Sequence, residues 1–207
     1  LVFRCRQAAI KLRESYPSFL LNPETGWVAG WRSRDNQLHD YAFLWVNGVA
    51  LAFGLLDDAR AKVALTALEL KRKKSGPPNS KMGLPGNLLP IREEDQMLAK
   101  AFKTNNPTFE TYTDGGLSGW SATYYLRALA KYGVREQLGE TVDELKGGYA
   151  AGFFNGGNLS GHEFRSWEGL PTGYEGTLCS CFGSMYAIAI EEGIIQPTDP
   201  EWWPANG

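Results

Sequence analysis

One segment recurs three times along the chain: a loop rich in glycine and acidic residues leads into a long apolar stretch that ends at a glycine. The three stretches are YAFLWVNGVALAF, WSATYYLRALAKY and TLCSCFGSMYAIAIEE, and they end at Gly54, Gly133 and Gly193. Repetition at a long period indicates one supersecondary unit that is stacked several times. The chain is therefore predicted to fold as an array of similar helical units.

The three apolar stretches are predicted to be inner helices, because a helix that is apolar on nearly every side is buried within a larger core. Amphipathic segments alternate with them, at about 57–74 and 135–149, and the first has acids at its start and bases at its end. We find no segment with the alternating period of a strand. The sequence therefore predicts an all-α fold, a toroid of helical hairpins, with residues 1–207 in a single domain.

Each repeat places a carboxylate in or near the loop before its apolar helix. Counted back from the three terminal glycines, Asp35 and Asp114 have the same offset, and Glu175 falls one position later. Carboxylates that gather at one rim of a helical array are what acid/base chemistry on a sugar needs. The repeat therefore predicts a carbohydrate-active site at this rim.

Charge and composition argue against several other classes of protein. The net charge is -2 and the pI about 5.8, whereas nucleic-acid binding calls for a basic face. No run of about 18 apolar residues predicts a membrane span. Three cysteines and two histidines show no zinc-binding spacing, so we expect no metal and no cofactor. We interpret the cysteines as buried free thiols, which favours the cytoplasm.

Three segments carry a resemblance to a known group. HDYAFLWVNGVALAFGLLDDA, YTDGGLSGWSATYYLRALAKYG and WEGLPTGYEGTLCSCFGSMYAIA resemble the six-hairpin glycosidases, whose fold is an (α/α)6 barrel. That superfamily spans many glycoside hydrolase families and some phosphorylases. The resemblance covers about residues 24–203 as hairpin architecture and does not select one family. It implies a sugar-binding funnel lined by the loops before the inner helices, with one acid and one base carboxylate that act with inversion.

The chain resembles only part of such a barrel. About three and a half hairpins are visible in the sequence, where the resembled fold has six. The chain also begins inside an amphipathic helix, without an initiator methionine. We therefore expect a partial (α/α)6 barrel, the C-terminal part of a catalytic domain whose partner is the missing N-terminal half of the same chain.

Six acidic residues are candidates for the acid and the base, which sit about 6.5–9.5 Å apart in an inverting enzyme. Glu175 leads, because the flanking glycines in GLPTGYEG let backbone and ligand approach closely and Glu is a poor turn former. Asp40 could instead cap a helix, and Asp114 could form an Asx-turn. The remaining candidates are Asp35, which could pair with neighbouring arginines, and Glu163 and Glu168 in one long loop.

Aromatic and basic residues near the predicted rim are candidates for substrate binding. Indole rings can stack on the apolar faces of a sugar, and an arginine could pair with the carboxylate of a uronic acid or with a neighbouring acid of the chain. Trp45 lies deeper in an inner helix and is expected in the core. No Ser-His-Asp spacing indicates nucleophilic catalysis. The candidate binding residues are Trp31, Arg32, His39, Trp120, His162, Arg165, Trp167 and Tyr174.

The sequence thus predicts a glycoside hydrolase that uses two carboxylates, with two alternatives. A phosphorylase of the same fold would use inorganic phosphate as its nucleophile and would turn over only when phosphate is present. A non-catalytic helical toroid would bind carbohydrate or protein, with the acids as helix caps and the tryptophans as a binding face.

Overall fold

The computed structural model describes residues 1–96, 108–154, 162–175 and 179–197. For residues 175, 179 and 180 it describes the backbone but not the side chain. Six helices lie within these ranges. They are α1 (Val2–Leu20), α2 (Leu44–Ala52), α3 (Asp58–Ser75), α4 (Gly119–Lys131), α5 (Arg135–Ala150) and α6 (Cys179–Glu191). The three apolar repeats of the sequence are the helices α2, α4 and α6.

The chain also contains two antiparallel sheets, so the all-α prediction is wrong, and with it the purely helical toroid and partial (α/α)6 barrel. Strands β1 (Trp31–Arg32) and β2 (Leu38–His39) form a two-stranded sheet. A four-stranded sheet has the order β3 (Leu84–Pro85), β4 (Leu117–Ser118), β5 (His162–Arg165) and β6 (Pro171–Glu175). The strands are two to five residues long, which is too short for an alternating pattern to stand out in a sequence.

Helices α2, α4 and α6 form an inner layer in which α4 packs between the other two. Helices α2 and α4 run in the same direction: the rings of Trp45 and Trp120 meet at the N-terminal ends of α2 and α4, with centroids 5.2 Å apart. At the opposite ends, the hydroxyl of Tyr132 donates to the carbonyl of Leu51 at 3.1 Å. The loops that precede α2 and α4 therefore lie at the same end of the layer.

The core lies between this inner layer and an outer layer made of α3 and α5. Helix α3 contributes Ala61, Leu65 and Leu68, and α5 contributes Leu138 and Leu145 to one buried cluster with the inner helices. Burying this apolar surface is the main term that holds the two layers together.

The segment 83–96 crosses the N-terminal ends of α2 and α4. Asn87 forms an antiparallel bridge with Phe43 just before α2. The amide of Gly86 donates to the carbonyl of Gly116 at 3.1 Å, just before β4. Strand β4 then leads directly into α4, where the hydroxyl of Ser118 caps the helix. The crossing segment and the four-stranded sheet thus join the loops that carry the predicted site residues.

Helix α1 lies on the surface. None of its residues is buried, and it continues through Pro17. Cys5 on α1 is exposed, which corrects the prediction of three buried thiols, whereas Cys181 is buried. Across the described ranges, no helix combines the length and apolarity needed to cross a membrane.

Candidate functional site

Asp40 is a structural anchor rather than a reactive carboxylate. Its two oxygens accept hydrogen bonds from Asn22 at 2.8 Å, from Thr25 at 3.2 Å, and from the indole of Trp27 at 2.8 Å. The amide of Ala42 adds a fourth donor at 3.0 Å. These bonds shape the loop before α2, whose N-cap is Phe43 and not Asp40. The carboxylate of Asp40 is therefore occupied by structural bonds, and it is not the helix cap that the sequence offered as an alternative.

A second group, which we call the hairpin cluster, consists of Ser33, Asp35, His39, Tyr41 and Asp95. Nδ1 of His39 lies 2.7 Å from Asp95, and Nε2 lies 3.0 Å from the hydroxyl of Ser33. This order matches a Ser-His-Asp relay that no sequence spacing indicated. However, the hydroxyl of Ser33 donates to Asp35. Since a hydroxyl carries one proton, His39 must donate to Ser33, and Ser33 is not activated as a nucleophile.

The carboxylate of Asp95 closes the hairpin cluster. It also accepts a hydrogen bond from the hydroxyl of Tyr41, to which Arg92 donates at 3.1 Å. Burial raises the pKa of Asp95, but the hydrogen bonds from Tyr41 and His39 outweigh burial and hold the pKa below its usual value. Asp95 is thus ionised, and its hydrogen bonds fix the positions of His39 and Tyr41. We interpret the hairpin cluster as structural.

Asp35 is exposed at the tip of the hairpin. Hydrogen bonds from the hydroxyl of Ser33 and from the amide of Gln37 lower its pKa. These bonds shape the turn between β1 and β2. Among the described contacts, Asp35 forms no ion pair with a neighbouring arginine, which was the alternative that the sequence offered. We interpret Asp35 as a residue that stabilises the turn.

Asp114 holds the crossing segment in place, in an arrangement that we call the Asp114 clamp. It is 2% exposed and accepts hydrogen bonds from Asn87 at 2.8 Å, from the amide of Ile91 at 3.1 Å and from Gln96 at 3.0 Å. All three donors are neutral. Burial raises the pKa of Asp114, and the hydrogen bonds offset only part of that effect. Asp114 therefore positions the segment and does not face a substrate.

Glu163 on β5 lies in a different setting, which we call the strand-pair site. Its carboxylate accepts a hydrogen bond from the amide of Tyr174 at 3.3 Å. Burial raises the pKa of Tyr112, and the charge of the nearby Glu163, to which its hydroxyl hydrogen-bonds, raises it further. Tyr112 thus remains a neutral donor to this carboxylate. The strand-pair site comprises Tyr112, Glu163, Tyr174 and the residues of β6.

Gly173 makes the strand-pair site possible. It has φ +79°, and a Cβ there would lie 2.7 Å from Oε2 of Glu163 and 2.8 Å from the ring of Tyr112. Only a residue without a side chain lets both groups approach the backbone of β6 in this way. Gly173 in the segment PTGYE is therefore needed for the contacts of Glu163 on the neighbouring strand as well as for the conformation of β6.

Glu175 is the last residue of β6. The antiparallel register pairs Glu175 with His162, and the register shift between His162 and Phe164 puts Glu163 opposite a bulge of β6 at Gly173 and Tyr174. Bulges re-aim side chains and are frequent next to functional sites. The side chain of Glu175 lies outside the described part of the structure, but its backbone brings it next to the strand that carries Glu163.

Two arginines predicted to bind substrate instead hold backbone carbonyls. Arg165 donates to the carbonyl of Gly169 at 2.8 Å, and burial lowers its pKa. Arg32 donates to the carbonyl of Phe19 at 2.7 Å, which ties the hairpin to the end of α1. Both guanidinium groups have structural partners, so neither supports the recognition of a sugar carboxylate.

The remaining predicted residues of the long loop differ in exposure. The indole of Trp167 donates to the carbonyl of Gly115 at 2.7 Å and packs on Phe109 at 5.4 Å between ring centroids, so it anchors the loop. Glu168 and Tyr174 are exposed. Tyr174 is therefore accessible to a ligand at the strand-pair site, whereas Glu168 lies in a surface turn.

Four aromatic rings form a row across the N-terminal ends of α2 and α4. We call Trp31, Phe43, Trp45 and Trp120 the aromatic row. Successive ring centroids are 6.3, 6.2 and 5.2 Å apart. Trp45 is 36% exposed and Trp120 42% exposed, so the prediction that Trp45 lies in the core is wrong. Trp31 stacks on His39 at 4.8 Å. The row offers flat apolar faces at the end of the inner layer where the loops gather.

Sequence reasoning missed Tyr112 and the donors of the Asp114 clamp. Tyr112 precedes Asp114 by two residues, yet its hydroxyl hydrogen-bonds to Glu163, some fifty positions later in the chain. No local pattern signals such a pairing. Among the described residues, no group of His, Cys, Asp and Glu side chains could hold a metal ion.

Comparison with known proteins adds no assignment. A scan against protein-family models finds no match, and no curated protein matches the chain.

Proposed function

We propose that the chain carries the acid/base pair of a glycoside hydrolase, and that the pair is Glu163 and Glu175. The observation that carries this proposal is the strand-pair site. Glu163 is held by Tyr112 and by the amide of Tyr174, and Glu175 ends the strand paired with its own. Of the six carboxylates that the sequence singled out, Asp35, Asp40 and Asp114 have structural roles.

Inversion is part of the proposal, and it sets how the two carboxylates must meet. Residues opposed in an antiparallel pair have Cα atoms about 5 Å apart, and Glu163 is one residue from the partner of Glu175, so their Cα atoms lie about 6–9 Å apart. Successive residues of a strand point to opposite faces of the sheet. The proposal therefore has the two carboxylates reach the separation of about 6.5–9.5 Å, which leaves room for the attacking water, around the end of the strand pair, where Glu175 is the last residue of β6.

The surroundings of Glu163 support an assignment of the two roles. Hydrogen bonds from Tyr112 and from the amide of Tyr174 hold the carboxylate of Glu163 in a fixed position, as a group that accepts a proton from water requires. Glu163 therefore acts as the base that removes a proton from water. Glu175 acts as the acid that protonates the leaving oxygen. The aromatic row binds the sugar through the faces of Trp45 and Trp120.

The test is turnover of a panel of aryl glycosides and uronides by the chain and by its variants. Glu163→Gln and Glu175→Gln should each lower kcat about a hundredfold or more, the range expected for an acid/base group. Glu168→Gln is the matched control, because this exposed glutamate lies in the adjacent turn, and it should keep its activity. Equal losses in all three variants, or no loss in the first two, would refute the assignment.

A second candidate function is carbohydrate binding without catalysis. The structural bonds of Asp40 and Asp114 favour it, since two of the rim carboxylates serve the fold. In that case the aromatic row still binds saccharides, no glycoside turns over with or without phosphate, and Glu163→Gln leaves the affinity unchanged.

A further inference from the structure

Helices α4 and α6 border an open cavity of about 560 Å³ beside the aromatic row. Trp120 belongs to both features, since its ring meets Trp45 in the row and also lines the cavity. On the α6 side the lining includes Cys181, Phe182 and Met185. A ligand that stacks on Trp120 can therefore extend directly into this cavity.

The close approach of the two helices explains why these side chains turn outward. A Cβ at Gly183 would lie 1.8 Å from the hydroxyl of Thr123, so the helices touch at this point. Phe182 and Met185 flank the contact and are 72% and 54% exposed. Large apolar side chains that remain open to water next to a cavity are typical of binding surfaces.

The chemistry of the lining selects the kind of ligand. The volume falls in the range of small-molecule sites, about 300–1,000 Å³. Phe182, Met185 and the ring face of Trp120 offer no partners to sugar hydroxyls, and burying a hydroxyl without a partner is unfavourable. The hydroxyl of Thr123, which also lines the cavity, donates to the carbonyl of Gly119. Arg127 lies over the ring of Tyr124 at 5.4 Å, which holds this cation along the wall. The cavity thus suits an apolar group better than a second sugar.

We propose that the cavity binds the apolar aglycone of a glycoside whose sugar lies on the aromatic row. This inference rests on the proposed function and narrows its substrate class to glycosides of aryl or long alkyl alcohols, as opposed to polysaccharides. Trp120 is the junction between the two subsites.

The experiment compares phenyl and methyl glycosides of the same sugars by isothermal titration calorimetry, with benzyl alcohol as a probe without sugar. The phenyl glycoside should bind about tenfold more tightly or better, because burial of a ring removes apolar surface from water. The double variant Phe182→Gln/Met185→Gln should abolish this preference and the binding of benzyl alcohol. Leu70→Gln, at an exposed leucine of the outer helix α3, is the control and should change neither.

The outcomes separate this inference from the proposed function. Equal affinities for phenyl and methyl glycosides, with hydrolysis intact, would overturn the aglycone site alone. Benzyl alcohol binding that the double variant removes, without turnover of any glycoside, would support the apolar site and overturn the hydrolase. If the chain self-associates and the double variant separates the copies without changing benzyl alcohol binding, the surface is an interface between copies and the inference fails.

Discussion

Replacing Asp114 by Ala removes the acceptor for three donors of the crossing segment, Asn87, Ile91 and Gln96. A buried donor left without a partner costs about 1–3 kcal/mol. The substitution also removes the free-energy cost of burying the carboxylate, which is the reason that burial raises the pKa of Asp114. This gain offsets part of the loss of stability from the three unpaired donors. We therefore expect the Asp114→Ala variant to lose about 3 kcal/mol in its free energy of unfolding, measured by urea denaturation at neutral pH.

The pH dependence of this effect has a definite sign. Because the pKa of Asp114 is raised in the folded state, the folded chain binds its proton more tightly than the unfolded chain does. The protonated group therefore stabilises the fold fully below the unfolded pKa of about 3.9, and this contribution is lost as the pH rises through the folded pKa.

Asp114→Asn tests the charge separately from the acceptor. It keeps one oxygen for Asn87 and Ile91, while its amide nitrogen faces the donor of Gln96 unless that side chain turns. We expect it to lose less than about 1 kcal/mol at neutral pH and to lack the pH-dependent component of the native chain. A loss below about 1 kcal/mol in Asp114→Ala, or a native contribution that grows with pH in this window, would refute the reasoning.

Three further predictions follow from the site. Gly173→Ala should lower the turnover proposed for the strand-pair site at least tenfold, because the added Cβ would displace Glu163. Gly139→Ala is the comparison, because a Cβ added at Gly139 would meet no neighbouring group within 4 Å. This variant should stabilise α5 by about 0.5–1 kcal/mol in thermal unfolding. Asp95→Asn should lower the free energy of unfolding at pH values above the unfolded-state pKa of the aspartate, because the pKa of Asp95 is lowered in the folded state. The variant should then lose less stability on acidification than the native chain does. An unchanged dependence of stability on pH in the acid range would contradict this. Trp120→Ala should weaken saccharide binding about tenfold by calorimetry, with an unchanged unfolding midpoint.

The helices could be predicted from the sequence because their signals are local. The apolar repeats that became α2, α4 and α6 carry their pattern over nine to thirteen residues. The four-stranded sheet could not be predicted, because β3 and β4 have two residues each and gain their pairing from segments far along the chain. Secondary structure that depends on partners distant in sequence leaves little trace in its own residues.

The same distinction explains the errors at the candidate site. The repeat aligned Asp114 with Asp35, yet the partners of Asp114 lie at 87–96, in a segment that no repeat contains. Likewise, the partners of Asp40 come from the loop at 22–27. A carboxylate's environment decides whether it is structural or reactive, and that environment was not visible from residue type and spacing.

The leaving-group dependence of the two glutamate variants tests the proposed acid/base pair most directly. An acid is dispensable when the leaving group departs without protonation, whereas the base that activates water is needed for every leaving group. The account predicts that Glu175→Gln regains most of its kcat when a phenyl leaving group is replaced by dinitrophenyl, and that Glu163→Gln loses about a hundredfold with both. Equal losses for both variants with both leaving groups, or full activity in Glu163→Gln, would contradict it.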